Sequence, residues 1–395
     1  MCGDVTVRAR AWTLPLSDFR QCQKQPPAGP CGYGPNLPYL RLSPSISGQK
    51  VVSRFLRGRS PVWEYPERMD SRLQRALDRW ELSEPQALAG DAGARQYFRV
   101  AHPQLGTALV VLHPLDTLEK ADDSYFEFRA LQAYLDPLLR VPTILQCDDP
   151  DRCLLVEDLG DITLESRLVS HPEEELAWAQ KAGWLLTTLA GPLTLGAPGH
   201  AFFMQRAFDE AKFVFEWEYC RVNFFHDFLQ KDPPRWLDRM MEEAHFSLET
   251  RAHFFAHRDL HVRNLMVHGD RLVVIDFQDA RRGAATYDLA SLRYDAYWDW
   301  SKEAGRALIA PLQEELGWNH EALLEELTLS ALQRNLKALG TFGHQLIHRK
   351  KAHFAPAVLR TLRHLKSHFQ RMNHQDGVLA TEHMMRLAEE RLLKG

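Results

Sequence analysis

The sequence has no apolar run that approaches the roughly 20 residues of a bilayer-spanning helix, and its first residues lack the apolar central stretch of a secretory signal. Cysteine is sparse. The six residues at 2, 22, 31, 147, 153 and 220 form no CxxC pair and have no clustered His partner, which excludes the usual zinc and redox motifs. Reduced thiols in a cytoplasmic protein are the expectation. A formal net charge of −4 supplies no global attraction to nucleic acid or to an acidic membrane. Internal repeats and sustained heptads are also missing, which excludes solenoids and coiled coils. What is present is a chain of 395 residues, 45% hydrophobic and 25% charged, the composition of a globular protein long enough for two lobes.

Residues 1–68 hold nine Pro, including the run QPPAGPCGYGPNLP, and show little periodicity. Such a segment buries too little apolar surface to offset its ordering entropy and reads as a Pro-rich, disordered extension. A regular pattern starts at MDSRLQRALDRW, with Leu73, Leu77 and Trp80 on one helical face, and Met69 as the true start of the protein fits that change. Within 69–160, LAGDAGARQYFRV reads as strand, turn and strand, and TALVVLHP as a buried strand. DSYFEFRALQAYLDPLL reads as an amphipathic helix with Phe126, Ala130, Leu131 and Tyr134 near one face, and CLLVEDLG as a further strand. From 161 to 395 helical periods dominate. EEELAWAQKAGWLLTTLA sets Leu176, Ala179, Leu186 and Leu189 on one stripe, and ALLEELTLSALQRNLKAL is Leu-rich throughout; RLVVIDFQDA is strand-like. The expected fold class is α+β, a small antiparallel sheet with one packed helix followed by a mainly helical lobe.

The chemistry concentrates in HRDLHVRN at 257–264. Phosphoryl transfer asks a protein for an oriented acceptor hydroxyl, a metal across the phosphates and donors around the charge. Asp259 can accept the hydrogen bond of an acceptor hydroxyl and take its proton late. Asn264, five residues on, offers a neutral oxygen to Mg2+. Asp276 ends the apolar run LVVI and would deliver a carboxylate to the same place, an oxygen ligand set that suits Mg2+. Each piece alone is an ordinary turn or strand end; the three in this order are far less often accidental.

HRDLHVRNLMV, VVIDFQDA and GAATYDLASL together resemble the aminoglycoside phosphotransferase and choline kinase superfamily. GDAGARQYFRV, LLVEDLGDITL and IDFQDARRGAATYDLASLRYDAY are most similar to bacterial N-acetylmuramate/N-acetylglucosamine anomeric sugar kinases, over roughly residues 70–345. The resemblance implies a two-lobed protein-kinase-like fold, with 69–160 as a nucleotide-binding lobe and 161–395 as a catalytic and substrate-binding lobe. It implies ATP and Mg2+ as cofactors, Asp259 as catalytic base, and Asn264 and Asp276 as metal ligands. Asp288 would brace the catalytic region, and His257 would orient the loop. GDAGARQYFRV would face the phosphates through Gly93 and Arg95, and backbone groups near Glu157 and Leu159 would hold the adenine.

The substrate is the open part. Only eleven residues separate Asp276 from Asp288, which leaves no platform for an extended peptide, and DFQ stands where protein kinases have DFG. A small hydroxylated acceptor fits better. Glu210 and Glu216, in the acidic and aromatic stretch FDEAKFVFEWEYCRVNFF, are the candidate acceptor contacts. The leading expectation is an amino sugar phosphorylated at its anomeric hydroxyl, as in cell-wall sugar recycling, with no nucleic-acid or membrane partner. Two rivals remain: another acceptor, namely an aminoglycoside, an aminoalcohol or a polyol, and a nucleotide-binding scaffold without turnover. The scaffold reading draws on TALVVLHP, which lacks the phosphate-binding Lys that a kinase strand carries there, so that Arg95, Arg99 or the metal must substitute.

Overall fold

The computed structural model describes residues 70–88, 95–115, 124–195 and 202–394. The extension 1–68 and the turn holding Gly90 and Gly93 lie outside the described residues.

Alternating side chains explain why the TALVVLHP strand is apolar without a break. Helix α1 (Ser71–Arg79) precedes strands β1 (Ser83–Leu88), β2 (Gln96–His102) and β3 (Gly106–Leu112); helix α2 (Ser124–Leu135) then leads to β4 (Ile144–Asp148) and β5 (Cys153–Glu157). The strands form one antiparallel sheet in the order β1-β2-β3-β5-β4. Ala108, Val110 and Leu112 point to one face and pack on Leu73, Ala76 and Leu77 of α1. Val111, Leu154 and Val156 point to the other and pack on α2, so both faces of the central strands are buried. The buried face of α2 is Tyr125, Phe128, Leu131 and Leu135. It is turned from the expected stripe because Tyr125 is drawn inward, its hydroxyl donating to Asp149 at 2.6 Å; Phe126 and Tyr134 pack only at the margin.

Beyond β5 the protein is mainly helical. Helices α3 (Leu164–Ser170), α4 (Glu175–Ala190), α5 (Glu210–Cys220) and α6 (Arg235–Thr250) come first, and α5 runs on into a π-helical segment, Arg221–Leu229. In α4 the stripe holds at Ala179, Leu186 and Leu189, whereas Leu176 is exposed and Trp178 takes the buried position in the first turn. Three short strands follow α6: β6 (Phe254–Ala256), β7 (Leu265–His268) and β8 (Arg271–Val274). Strand β9 (Arg281–Gly283) and helix α7 (Tyr287–Arg293) come next. The HRDLHVRN loop therefore leaves a strand, β6, with the α6 helix one step further back. The remaining helices are α8 (Lys302–Leu316), α9 (His320–Ile347), α10 (Ala355–Arg371) and α11 (Gln375–Lys394).

Helix α9 is the axis of this lobe, and two glycines let it approach α5 closely. A Cβ at Gly340 would lie 2.7 Å from the Cα of Cys220, and one at Gly343 would lie 2.4 Å from the Asn223 carbonyl oxygen. Larger residues at either place would push the two helices apart. Among the described residues no helix is long and apolar enough to cross a membrane.

Candidate active site

The loop 257–264 is held by carboxylates from outside it. The backbone N–H groups of His257 and Arg258 donate to Asp288 of α7 at 2.6 and 3.0 Å. Further along, the Val262 N–H donates to the buried Asp295 at 2.8 Å, and the Tyr297 N–H reaches the other oxygen of the same carboxylate, also at 2.8 Å. Burial pushes both acids up to about 6, because backbone donors offset only part of the cost of removing the charge from water. The His257 ring is buried and its Nε2 meets the Ile275 carbonyl oxygen at 2.9 Å, which ties the loop to the segment carrying Asp276. Arg258 has φ +81, a region that costs a non-glycine residue of order 1–3 kcal/mol and persists only where the surroundings enforce it. Asp288 supplies that enforcement on one side. Arg258 itself reaches Glu216 at 3.3 Å and Asp279 at 3.2 Å on the other.

Asn264 and Asp276 meet through the β7–β8 hairpin, which pairs Leu265 with Val274. The Ile275 N–H donates to the Asn264 carbonyl at 3.1 Å, so the two candidate ligands stand at the same end of the hairpin. The Asn264 amide nitrogen is taken by the Asp259 carbonyl at 2.9 Å, which leaves the amide oxygen as the end available to a ligand. Asp276 adopts a left-handed conformation, φ 62 and ψ 35, and its side chain is 46% exposed at the cleft. Burial raises the Asp276 carboxyl, and Arg95, the Gln278 amide and His257 together more than offset this, so it lies below its ordinary value; the neighbouring Asp259 charge acts in the same sense as burial. Asp259, Asn264 and Asp276 thus share one neighbourhood, and its donors are oxygens, the set that Mg2+ prefers.

The family model of the phosphotransferase enzyme family (APH) matches residues 84–327, which include all three. The chain belongs to this phosphotransferase family. It is 27% identical over 304 residues to the N-acetylmuramate/N-acetylglucosamine kinase of Neisseria meningitidis, a match that covers 70% of this chain and 83% of the relative. A kinase of the same description from Pseudomonas putida is 26% identical over 274 residues, 67% of this chain and 76% of the relative. Among solved structures, ADP-bound aminoglycoside phosphotransferase APH(2'')-Ib superposes with a TM-score of 0.50 at 15% identity, covering 74% of this chain and 97% of that one. Choline kinase LicA from Streptococcus pneumoniae gives 0.51 at 15%, with 74% and 97% covered. At such identity these likenesses concern the fold, which is the two-lobed kinase-like one. The protein is a phosphotransferase acting on a hydroxyl group.

The nucleotide side of this phosphotransferase departs from the usual kinase arrangement. His113 follows β3 where a strand cation was sought, but burial and the nearby Arg95, Arg152 and Arg72 push it down to about 3, so it is a neutral imidazole packed against Tyr125 and Phe128. Glu127 of α2 is ion-paired with Arg206. Arg99 is held by Asp158 and Asp161 at 2.7 and 2.8 Å. Arg95 faces the cleft, donating to Asp276 at 2.8 Å and to Gln278 at 2.9 Å. Gly93 lies outside the described residues. At the end of β5, the Glu157 N–H is taken by the Thr143 carbonyl at 2.9 Å and its side chain by Arg140. Leu159 packs with Met266 and Val273 as a small apolar floor.

The acceptor side differs from the expected one. Glu210 is in the exposed first turn of α5 and shares no hydrogen bond or ion pair with the loop among the described residues. Glu216 is buried, and its charge is met from within the protein by Lys212 at 3.2 Å, Arg258 at 3.3 Å and Gln333 at 2.9 Å. Burial raises the Glu216 carboxyl, yet Lys212 and Arg258 bring it down to about 2. Arg263 pairs with Glu165 at 2.6 Å and stacks 3.7 Å from the Tyr297 ring centroid. Sequence reasoning missed Asp295 and also Lys337 of α9, whose ammonium donates to Asp259 Oδ1. Asp295 had a signal, a carboxylate seven residues past Asp288 in the same segment. Lys337 had none, since nothing local distinguishes it from Arg334 on the same long helix.

Proposed function

We propose that the protein phosphorylates a sugar hydroxyl with ATP, specifically the anomeric hydroxyl of N-acetylmuramate or N-acetylglucosamine. The observation that carries this is the meeting of Asp259, Asn264 and Asp276 in one cleft of a phosphotransferase whose relatives are kinases of those sugars. Asp259 is ionised, since Lys337, Arg258 and Arg334 more than offset the upward push of burial. Its Oδ2 has no hydrogen bond among the described residues and is the atom that takes the acceptor proton. As the acceptor oxygen bonds to the γ-phosphorus, the bond to the β–γ bridging oxygen breaks and ADP leaves. An anomeric hydroxyl is more acidic than other sugar hydroxyls, so a carboxylate suffices as base. Asn264 and Asp276 would hold Mg2+, which supplies charge neutralisation across the phosphate oxygens. Arg95 is the remaining cation for the phosphates, and Leu159 with Met266 and Val273 forms an apolar seat for the base, beside the Leu159 amide.

A cationic acceptor would call on the acidic stretch at 209–218. Its buried member, Glu216, is neutralised internally, and Glu218 faces Arg221 at 3.3 Å, so these two offer little free negative charge; Asp209 and Glu210 stay exposed at the start of α5. The deciding experiment is ATP turnover against amino sugars, aminoglycosides, choline and neutral hexoses, with the phosphate position read by phosphorus NMR. A sugar 1-phosphate from N-acetylmuramate or N-acetylglucosamine is the expected product. Turnover confined to an aminoglycoside or an aminoalcohol would overturn the assignment.

A further inference from the structure

Lys337 stands on α9, ten residues beyond the last residue matched by the family model, and its ammonium reaches the central carboxylate of the catalytic loop. The contact bridges 78 residues of sequence. It is also well supported mechanically. Gly340, one helical turn further on, lets α9 lie against the backbone of α5. On the turn before, Gln333 binds Glu216 at 2.9 Å and accepts from the Tyr287 hydroxyl at 3.1 Å, while the Arg334 Nε donates to Ser291 at 3.0 Å. Helix α9 is thereby fixed both to α7, which carries Asp288, and to α5, which carries Glu216. A lysine on so constrained a helix has little freedom to leave the carboxylate it faces; its side chain is 12% exposed.

We propose that Lys337 is the positioning residue of the catalytic base: it occupies Oδ1 of Asp259 and thereby fixes Oδ2 toward the acceptor hydroxyl. This rests on the reading of Asp259 as the base. Within the loop itself no side chain does this work. His257 is turned to the Ile275 carbonyl and Arg258 to Glu216 and Asp279, while Arg263 is paired with Glu165. The Asn264 amide holds only the main-chain carbonyl of Asp259. Without Lys337 the carboxylate would keep its backbone position and lose its orientation. A carboxylate free to turn about its side-chain torsions aims an oxygen at the acceptor for only part of the time, and the penalty falls on the chemical step rather than on nucleotide binding.

The test is steady-state kinetics of Lys337→Met, Lys337→Arg, Asp259→Asn and the double variant Asp259→Asn/Lys337→Met, with ATP and either N-acetylmuramate or N-acetylglucosamine. Lys337→Met is expected to lower kcat about a hundredfold, the lower end of what a positioned base contributes. The KM for ATP should stay within about threefold, a split that general destabilisation does not give. Lys337→Arg should recover at least about tenfold of the loss, since it restores a cation near Oδ1. In the Asp259→Asn background, Lys337→Met should cost nothing more, because the two residues act as one unit. Folded Lys337→Met with kcat within about threefold of the parent overturns the inference, and so does an undiminished loss in the Asp259→Asn background. If Lys337→Met does not fold, Lys337→Gln carries the same comparison with the same two outcomes. Failure of the underlying reading looks different: Asp259→Asn itself then retains turnover, or the parent phosphorylates neither sugar.

Discussion

Asp259 and Asp276 face one cleft and are held in different ways. Asp259 sits on a loop whose backbone is clamped by Asp288 and Asp295 and whose carboxylate is met by Lys337, all from the helical lobe. Asp276 is 46% exposed in a left-handed turn, and its strongest partner is Arg95, which comes from the sheet lobe across the cleft. The proposed base is thus preorganised within one body, whereas the proposed metal ligand is held by a contact between two. The first arrangement costs no reorganisation at the moment of transfer. On the proposed reading the second would have to open for a triphosphate and its metal, since Arg95 and a bound cation would compete for the same carboxylate.

Substitutions on the two sides should therefore fail differently. The largest effect is expected at the preorganised side: Asp259→Asn lowers kcat by about a thousandfold or more while ATP affinity, read by calorimetry, changes little. Asp276→Asn should lower kcat by about a hundredfold and also raise the Mg2+ concentration needed for half-maximal rate, a dependence that Asp259→Asn leaves unmoved. Arg95→Met should raise the KM for ATP by about tenfold with a smaller change in kcat, as expected for a phosphate contact whose loss weakens binding. Equal effects of Arg95→Met and Asp259→Asn on kcat alone would erase the distinction between the two sides.

The smallest expected effect concerns stability. Asp288→Asn leaves one of two backbone N–H groups without an acceptor, a loss of about 1–3 kcal/mol in denaturant unfolding. It also changes the pH dependence. Unfolded Asp releases its proton near about pH 4, whereas burial holds Asp288 and Asp295 up at about 6 in the folded protein. Between those values the folded state binds more protons than the unfolded one, so the contribution of these two groups falls as pH rises through that window. Asp288→Asn should flatten the slope there. Asp259 and Glu216, depressed below their ordinary values, act in the opposite sense and lose their contribution only in stronger acid.

The parts of the molecule readable from sequence were those set by local pattern. The alternating and continuous apolar runs at 96–112 and 153–157 became β2, β3 and β5, and the strand-like run ending at Asp276 became β8, though its pairing with β7 was not foreseen. The parts that could not be read depend on which charges meet across long separations. Glu216 looked like an acceptor contact because, besides Lys212 one turn away, its partners Arg258 and Gln333 lie 42 and 117 residues away. Glu127 finds Arg206 after 79 residues, and Lys337 finds Asp259 after 78. Nothing in a helical period says which cation on α9 will face the loop; that follows from the packing of α9 against α5, which two glycines permit.

The most direct test of the shared cleft is a crystal structure with a non-hydrolysable ATP analogue, Mg2+ and N-acetylmuramate. The account predicts the metal on the Asn264 amide oxygen and the Asp276 carboxylate, Arg95 moved onto the phosphates, and the anomeric hydroxyl on Asp259 Oδ2. A metal bound away from those two residues, or a sugar whose hydroxyls do not reach Asp259, would contradict it.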